Sequence, residues 1–148
     1  MEKALIIYGS TTGNTEFVAR HIAAFLLGKG AKVETRDAAQ TNTSDVSGAE
    51  GLVILGCSTW GEEEIGLQED FELLHIQLKK TDLSQKQFAL FGCGDSGYTH
   101  FCGAVDLIEQ TLRKNGAHLV HYPLKIDGEP DAALGQIDTW LEELVNSV

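Results

Sequence analysis

Four stretches of the chain are apolar without interruption or nearly so: Ala4–Tyr8, Leu52–Leu55, Phe88–Phe91 and the weaker His118–Leu124. The first three lack two-residue alternation, which predicts central parallel strands covered on both faces. Lys32–Thr35 is shorter and more polar and suits an edge strand. Between these runs the apolar spacing turns helical: Val18, Ile22, Phe25 and Leu26, then Leu67, Phe71, Leu74 and Leu78. Val105, Ile108 and Leu112 form a third stripe, and Leu134, Ile137, Leu141, Leu144 and Val148 a fourth. Gly28 and Gly30 predict the end of the first helix, Gly116 the end of the third, and Pro130 the start of the last. The segment 40–50 reads as loop or one short helix.

Strand and helix in turn, through about five strands, predict a three-layer α/β sandwich with right-handed crossovers. In such sheets ligands bind beyond the carboxyl ends of the strands. That rule selects three loops, 9–15, 56–64 and 92–103, and these are also the compositionally unusual parts of the chain.

Composition narrows the class. The chain has 148 residues, of which 43% are apolar, enough for one domain with its own core, expected over 1–148. There is no cationic, apolar leader and no apolar run long enough for a span, so a soluble cytoplasmic protein is expected. The three cysteines, Cys57, Cys93 and Cys102, form no CxxC pair; they read as reduced, packed thiols. The net charge is -11, with no Lys or Arg from Asp37 to Leu78 or from Gln87 to Leu112. Nucleic acid is excluded as a partner, and a basic partner protein is favoured if the fold gathers the acidity on one side.

The first loop, Gly9-Ser10-Thr11-Thr12-Gly13-Asn14-Thr15, joins a strand to a helix start, where free N–H groups and a dense set of hydroxyls suit a phosphate. It is neither a nucleotide triphosphate loop, since Asn14 follows Gly13 and no lysine is present, nor GxGxxG. In the second, Gly56-Cys57-Ser58-Thr59-Trp60-Gly61 leads into Glu62-Glu63-Glu64, and Trp60 offers a wall for a flat ligand. In the third, Gly92-Cys93-Gly94-Asp95-Ser96-Gly97-Tyr98 supplies a second ring, Tyr98. A phosphate cradle with two aromatic walls fits flavin mononucleotide (FMN) better than a nucleoside triphosphate. Hydrolysis through Asp95-Ser96 lacks the GxSxG elbow. The histidines read as surface or satisfied residues, and an acidic setting argues against Cys93 as a redox nucleophile.

Taken together, the segments Ser10–Thr15, Cys57–Gly61 with its acidic run, and Gly92–Ser96 with Tyr98 and Phe101-Cys102-Gly103 make the chain resemble the flavodoxin family, in its short-chain form from sulfate-reducing bacteria. The resemblance implies a five-stranded parallel sheet in the order 2-1-3-4-5 and one non-covalent FMN. It implies that Ser10, Thr11, Thr12, Gly13, Asn14 and Thr15 wrap the phosphate. Ser58, Thr59, Gly61, Gly94, Asp95 and Cys102, with Cys93 beside them, line the ribityl chain or the ring edge, mainly through backbone atoms. Trp60 and Tyr98 flank the ring, and the Gly61 carbonyl turns toward the flavin N5 proton in the semiquinone. His100 and Glu62-Glu63-Glu64 vary the pattern, and Gly66 is expected to loosen the start of the second helix by up to about 1 kcal/mol.

The function implied is a low-potential, monomeric one-electron carrier shuttling mainly between semiquinone and hydroquinone, without substrate turnover of its own. Cytochromes, hydrogenase or ferredoxin-linked oxidoreductases are the implied partners. One carboxylate about 10 Å from the reduced ring, at an effective dielectric near 40, costs roughly 0.8 kcal/mol. Several would lower the last potential by ~100 mV. An FMN-dependent reductase using NAD(P)H is the rival reading, and a receiver domain lacks its acidic pair after the first strand.

Overall fold

The computed structural model describes residues 1–10, 13–60, 66–94 and 102–148, and for Trp60 the backbone alone. Its elements run β1 (Lys3–Gly9), α1 (Asn14–Gly28), β2 (Lys32–Asp37), α2 (Thr43–Ser47), β3 (Leu52–Cys57), β4 (Thr59–Trp60), β5 (Gly66–Leu67), α3 (Glu69–Leu78), β6 (Gln87–Gly94), α4 (Gly103–Lys114), β7 (His118–Leu119), β8 (Leu124–Asp127) and α5 (Leu134–Ser147). The main sheet is parallel and runs β2-β1-β3-β6, with β7 and β8 both pairing along β6. Counting β7 and β8 as one interrupted strand gives the expected 2-1-3-4-5 order.

The interruption corrects the single strand expected over His118–Leu124. Pro123 has no N–H to offer β6, and β8 resumes only at Leu124, opposite Phe91. Across the sheet the register keeps the carboxyl ends level: Gly9 lies opposite Cys57, and Gly94 opposite Asp127. Three neighbouring loops therefore leave from one edge.

Both faces are buried, which explains the absence of alternation in β1, β3 and β6. Ile6, Ile54 and Phe91 point toward α1 and α5, where they meet Val18, Ile22, Leu26, Ile137 and Leu141. Leu5, Ile7, Val53, Leu55 and Leu90 point toward α3 and α4 and meet Phe71, Leu74, Leu78, Val105, Ile108 and Leu112. Phe25 is only partly buried against the first cluster, and Leu134 and Val148 are exposed at the ends of α5. Trp140, which the apolar spacing does not single out, is the largest fully buried side chain among the described residues; its Nε1 donates to the Tyr122 carbonyl at 2.8 Å.

At the boundaries one open choice is decided and two expectations shift. The segment 40–50 contains one short helix, α2, capped by Asn42 in a reciprocal box with Asp45. Leu67 and Gly66 belong to β5, not to the second long helix, which starts at Glu69; Leu67 still enters the α3–α4 cluster, from a strand. Pro130 opens a 3-10 turn, Pro130–Ala133, and α5 follows it. No described helix is long and apolar enough to cross a membrane.

Candidate functional site

β1 ends at Gly9 and α1 starts at Asn14, so the first loop climbs from the sheet edge into a helix N-terminus. Gly13 occupies the N-cap position in the left-handed region, with φ 98°, and no side chain caps the helix. A glycine there avoids the Cβ penalty of that region. It also leaves the first-turn N–H groups of α1 for an anion instead of a capping side chain. Ser10 stabilises the turn by accepting from the Gly13 N–H at 3.1 Å. Thr11 and Thr12 lie outside the described residues.

Thr15, on the first turn of α1, is fully buried, and its hydroxyl lies 2.9 Å from that of Ser58. Ser58 follows β3, and its N–H and hydroxyl both reach the Gly9 carbonyl at 3.4 Å. Two loops from adjacent strands thus converge on one pair of hydroxyls.

The second loop is more regular than its sequence implied. Thr59 and Trp60 pair antiparallel with Leu67 and Gly66, so the two ends of the segment are held together. The Thr59 hydroxyl accepts from the Ala104 N–H at 3.0 Å, capping α4 from another element. That cap is needed because Cys102, at the α4 N-cap position with φ 51°, supplies none of its own. Gly61, and the acidic run with it, lies outside the described residues, as do Asp95, Tyr98 and His100.

Gly94 ends β6 and its carbonyl accepts from the Gly128 N–H at 2.8 Å, tying the third loop to the end of β8. The thiols turn inward. Cys93 packs on the α1 side and Cys102 on the α4 side, where its thiol donates to the Gly92 carbonyl at 3.7 Å. Burial pushes Cys57 and Cys93 up to about 12 and Cys102 up to about 11. All three are free and buried.

Gln68 is not marked by the apolar and polar pattern of the chain. It occupies the N-cap position of α3, is only 2% exposed, and its side-chain oxygen accepts from the Asp70 and Phe71 N–H groups at 2.9 and 3.2 Å. The available signal was a polar residue directly before the acidic first turn Glu69-Asp70; glutamine is a rare cap, which hid it. Among the histidines, His75 is buried and bonded to Thr111 at 2.7 Å, and His21 pairs with Asp138 at 2.7 Å. The buried Nε2 of His121 makes no hydrogen bond among the described residues and lies 3.7 Å from the Glu143 carboxylate.

The fold does gather the charge. Lys3 and Lys32 begin β1 and β2, Lys29 and Lys79 end α1 and α3, Lys80 and Lys86 lie between α3 and β6, and Arg113 and Lys114 end α4. These eight of eleven cations sit at the end away from the three loops. At the loop end, Arg20, Arg36 and Lys125 are each paired, with Glu16 at 2.8 Å, Glu34 at 2.8 Å and Asp106 at 2.7 Å. Glu69, Asp70 and Glu72 in the first turn of α3 and Asp127 at the end of β8 add further carboxylates there.

The chain matches the flavodoxin family over residues 6–143. It is 50% identical over 131 residues to a flavodoxin of Maridesulfovibrio salexigens, covering 88% of this chain and 90% of that protein. It is 45% identical to the flavodoxin of Nitratidesulfovibrio vulgaris across the full length of both. Its fold superposes on the crystal structure of oxidised flavodoxin 2 from Bacillus cereus with a TM-score of 0.90, at 31% identity and with 99% of each chain covered.

Proposed function

The chain belongs to the flavodoxin family and is a low-potential, FMN-binding electron carrier without substrate turnover; from this premise we propose which of its residues hold the cofactor and which surface it offers to partners. The uncapped start of α1 and the Thr15–Ser58 hydroxyl pair form the phosphate end. There Ser10, Thr11, Thr12, Gly13, Asn14 and Thr15 supply N–H and O–H donors in place of a cationic side chain. Ser58 is drawn to this end by its contact with Thr15.

Thr59, Gly61, Gly94 and Asp95, with the backbones of Cys93 and Cys102, line the remainder of the cofactor, and Trp60 and Tyr98 form the ring walls. Bound FMN supplies one-electron chemistry. The protein's part is to orient it, exclude water from one side and set its two potentials. The acidic loop end raises the cost of adding negative charge there, so the working couple is the lower one. Among the described residues no basic side chain approaches the site unpaired, which keeps that effect unopposed.

The same acidic end recruits basic electron-transfer proteins such as cytochromes, hydrogenase or ferredoxin-linked oxidoreductases. The protein works as a cytoplasmic monomer, one FMN-binding domain over residues 1–148. The observation that carries the site assignment is the Thr15–Ser58 pair at the foot of an uncapped helix. Titration of the flavin-free protein with FMN tests it, read by quenching of flavin fluorescence: one equivalent binds, and riboflavin, which lacks the phosphate, binds far more weakly. Equal affinity for the two would overturn the phosphate assignment.

A further inference from the structure

Gln68 connects the three pieces from which the phosphate end is built. Its main-chain N–H donates to the Ser58 carbonyl at 3.0 Å. Its side-chain oxygen takes the two N–H groups of the α3 start, and its Nε2 donates to the Asp70 carboxylate at 3.1 Å. On its other side it lies directly beneath Gly9: a Cβ added there would come within 2.5 Å of Gln68 Oε1 and 2.9 Å of Phe71 Cβ. Gly9 in turn receives both the N–H and the hydroxyl of Ser58 on its carbonyl. One residue therefore meets the end of β1 and the start of α3 through its side chain, and the chain entering β4 through its own main-chain N–H.

Capping alone does not explain the choice of residue. Serine, aspartate or threonine caps a helix with fewer rotatable bonds to immobilise and is preferred at this position. What glutamine adds is reach, and reach fills the space under Gly9. The requirement is strict at an anion site without a lysine, because its affinity comes from short donors of fixed direction, not from a long-range charge.

We infer that Gln68 is a positioning residue for the phosphate end: it holds the Gly9 carbonyl and the Ser58 main chain at the height that sets the Ser58 hydroxyl against Thr15. It touches no ligand and acts through those two residues. The inference rests on the assignment of Thr15 and Ser58 to the phosphate.

Three variants test it, with the dissociation constants of FMN and riboflavin and the melting temperature of the flavin-free protein as readouts. Gln68→Ser keeps a cap and loses the reach; Gln68→Met keeps the reach and loses the cap. Positioning requires that Gln68→Ser lower the preference for FMN over riboflavin about tenfold or more, while Gln68→Met stays within about threefold of the parent although it melts lower. A purely structural cap gives the opposite order, and a Gln68→Ser preference within about threefold of the parent overturns the inference. Ser58→Ala separates the premises. If it too leaves the preference unchanged, the phosphate assignment has failed; if it lowers the preference and Gln68→Ser does not, the inference alone has failed.

Discussion

The hydroxyls of Thr15 and Ser58 lie 2.9 Å apart although 43 residues separate them in the chain. Parallel pairing of β1 with β3 brings their loops together, with Gly9 opposite Cys57, so the pair is a product of sheet register. Thr15 is fully buried, and its hydroxyl has a partner before any ligand arrives. On the proposed assignment the phosphate end is thereby organised in advance, and little ordering is left for binding to offset.

Thr15→Val tests this directly. Valine matches threonine in shape, so the buried position stays filled, but the Ser58 hydroxyl loses Thr15 and keeps the Gly9 carbonyl. A hydrogen bond serving a charged group is worth about 1.5–3 kcal/mol, so FMN affinity is expected to fall ten- to a hundredfold, with riboflavin affinity nearly unchanged. Fluorescence titrations with both flavins give the comparison. An equal loss for both would mean that Thr15 acts on the fold and not on the phosphate.

The layers of the fold were legible because β1, β3 and β6 are buried on both faces and so read as continuous apolar runs. The three loops followed from the rule for parallel sheets. What stayed hidden was short or mutual. β4 and β5 have two residues each, too few for any period. Leu67 fits a helical spacing with Phe71, Leu74 and Leu78, yet it reaches their cluster from a strand because the helix is capped one residue later, at Gln68. The hydroxyl of Thr59 caps α4, a pairing with Ala104 that only the tertiary structure creates.

Gly9→Ala is expected to destabilise the flavin-free protein by about 1–3 kcal/mol, the usual cost of overpacking. The added methyl meets Gln68 Oε1 and Phe71 Cβ, both held by the start of α3. Gly28→Ala is the matched control, since a Cβ there meets nothing within 4 Å and alanine favours the helix. Urea unfolding of the two variants should show opposite shifts in midpoint. A Gly9→Ala protein as stable as the parent would show that the space under Gly9 is not filled as described.

His75 makes the stability pH-dependent. It is buried between α3 and α4, with its Nε2 at 2.7 Å from the Thr111 hydroxyl. Burial, reinforced by Lys79, holds its pKa below the ordinary 6.5, against the opposing effects of the Leu107 carbonyl and Glu72. The unfolded chain then binds a proton that the folded chain resists, so this contribution is present above pH 6.5 and is lost as pH falls below it. Unfolding free energy measured between pH 7.5 and 5.5 should decline, and His75→Met should reduce the decline within that window. A parent and variant with parallel profiles would remove His75 as the cause.

The division of charge between the two ends predicts how partners are met. Carboxylates gather at the loop end, where the cofactor is proposed to sit, and Lys79 and Lys80, which form no ion pair among the described residues, are at the far end of α3. A basic redox protein should be reduced more slowly as ionic strength rises, because the screening length shrinks from about 10 Å at 0.1 M to about 3 Å at 1 M salt. Charge on the two ends can be changed independently. Neutralising Glu69 and Asp70 to glutamine and asparagine should flatten the salt dependence, whereas neutralising Lys79 and Lys80 to glutamine should leave it or steepen it. Stopped-flow rates across a salt series measure both. Equal effects from the two double variants would show that partners respond to net charge alone and that the arrangement of charge about the sheet is irrelevant to docking.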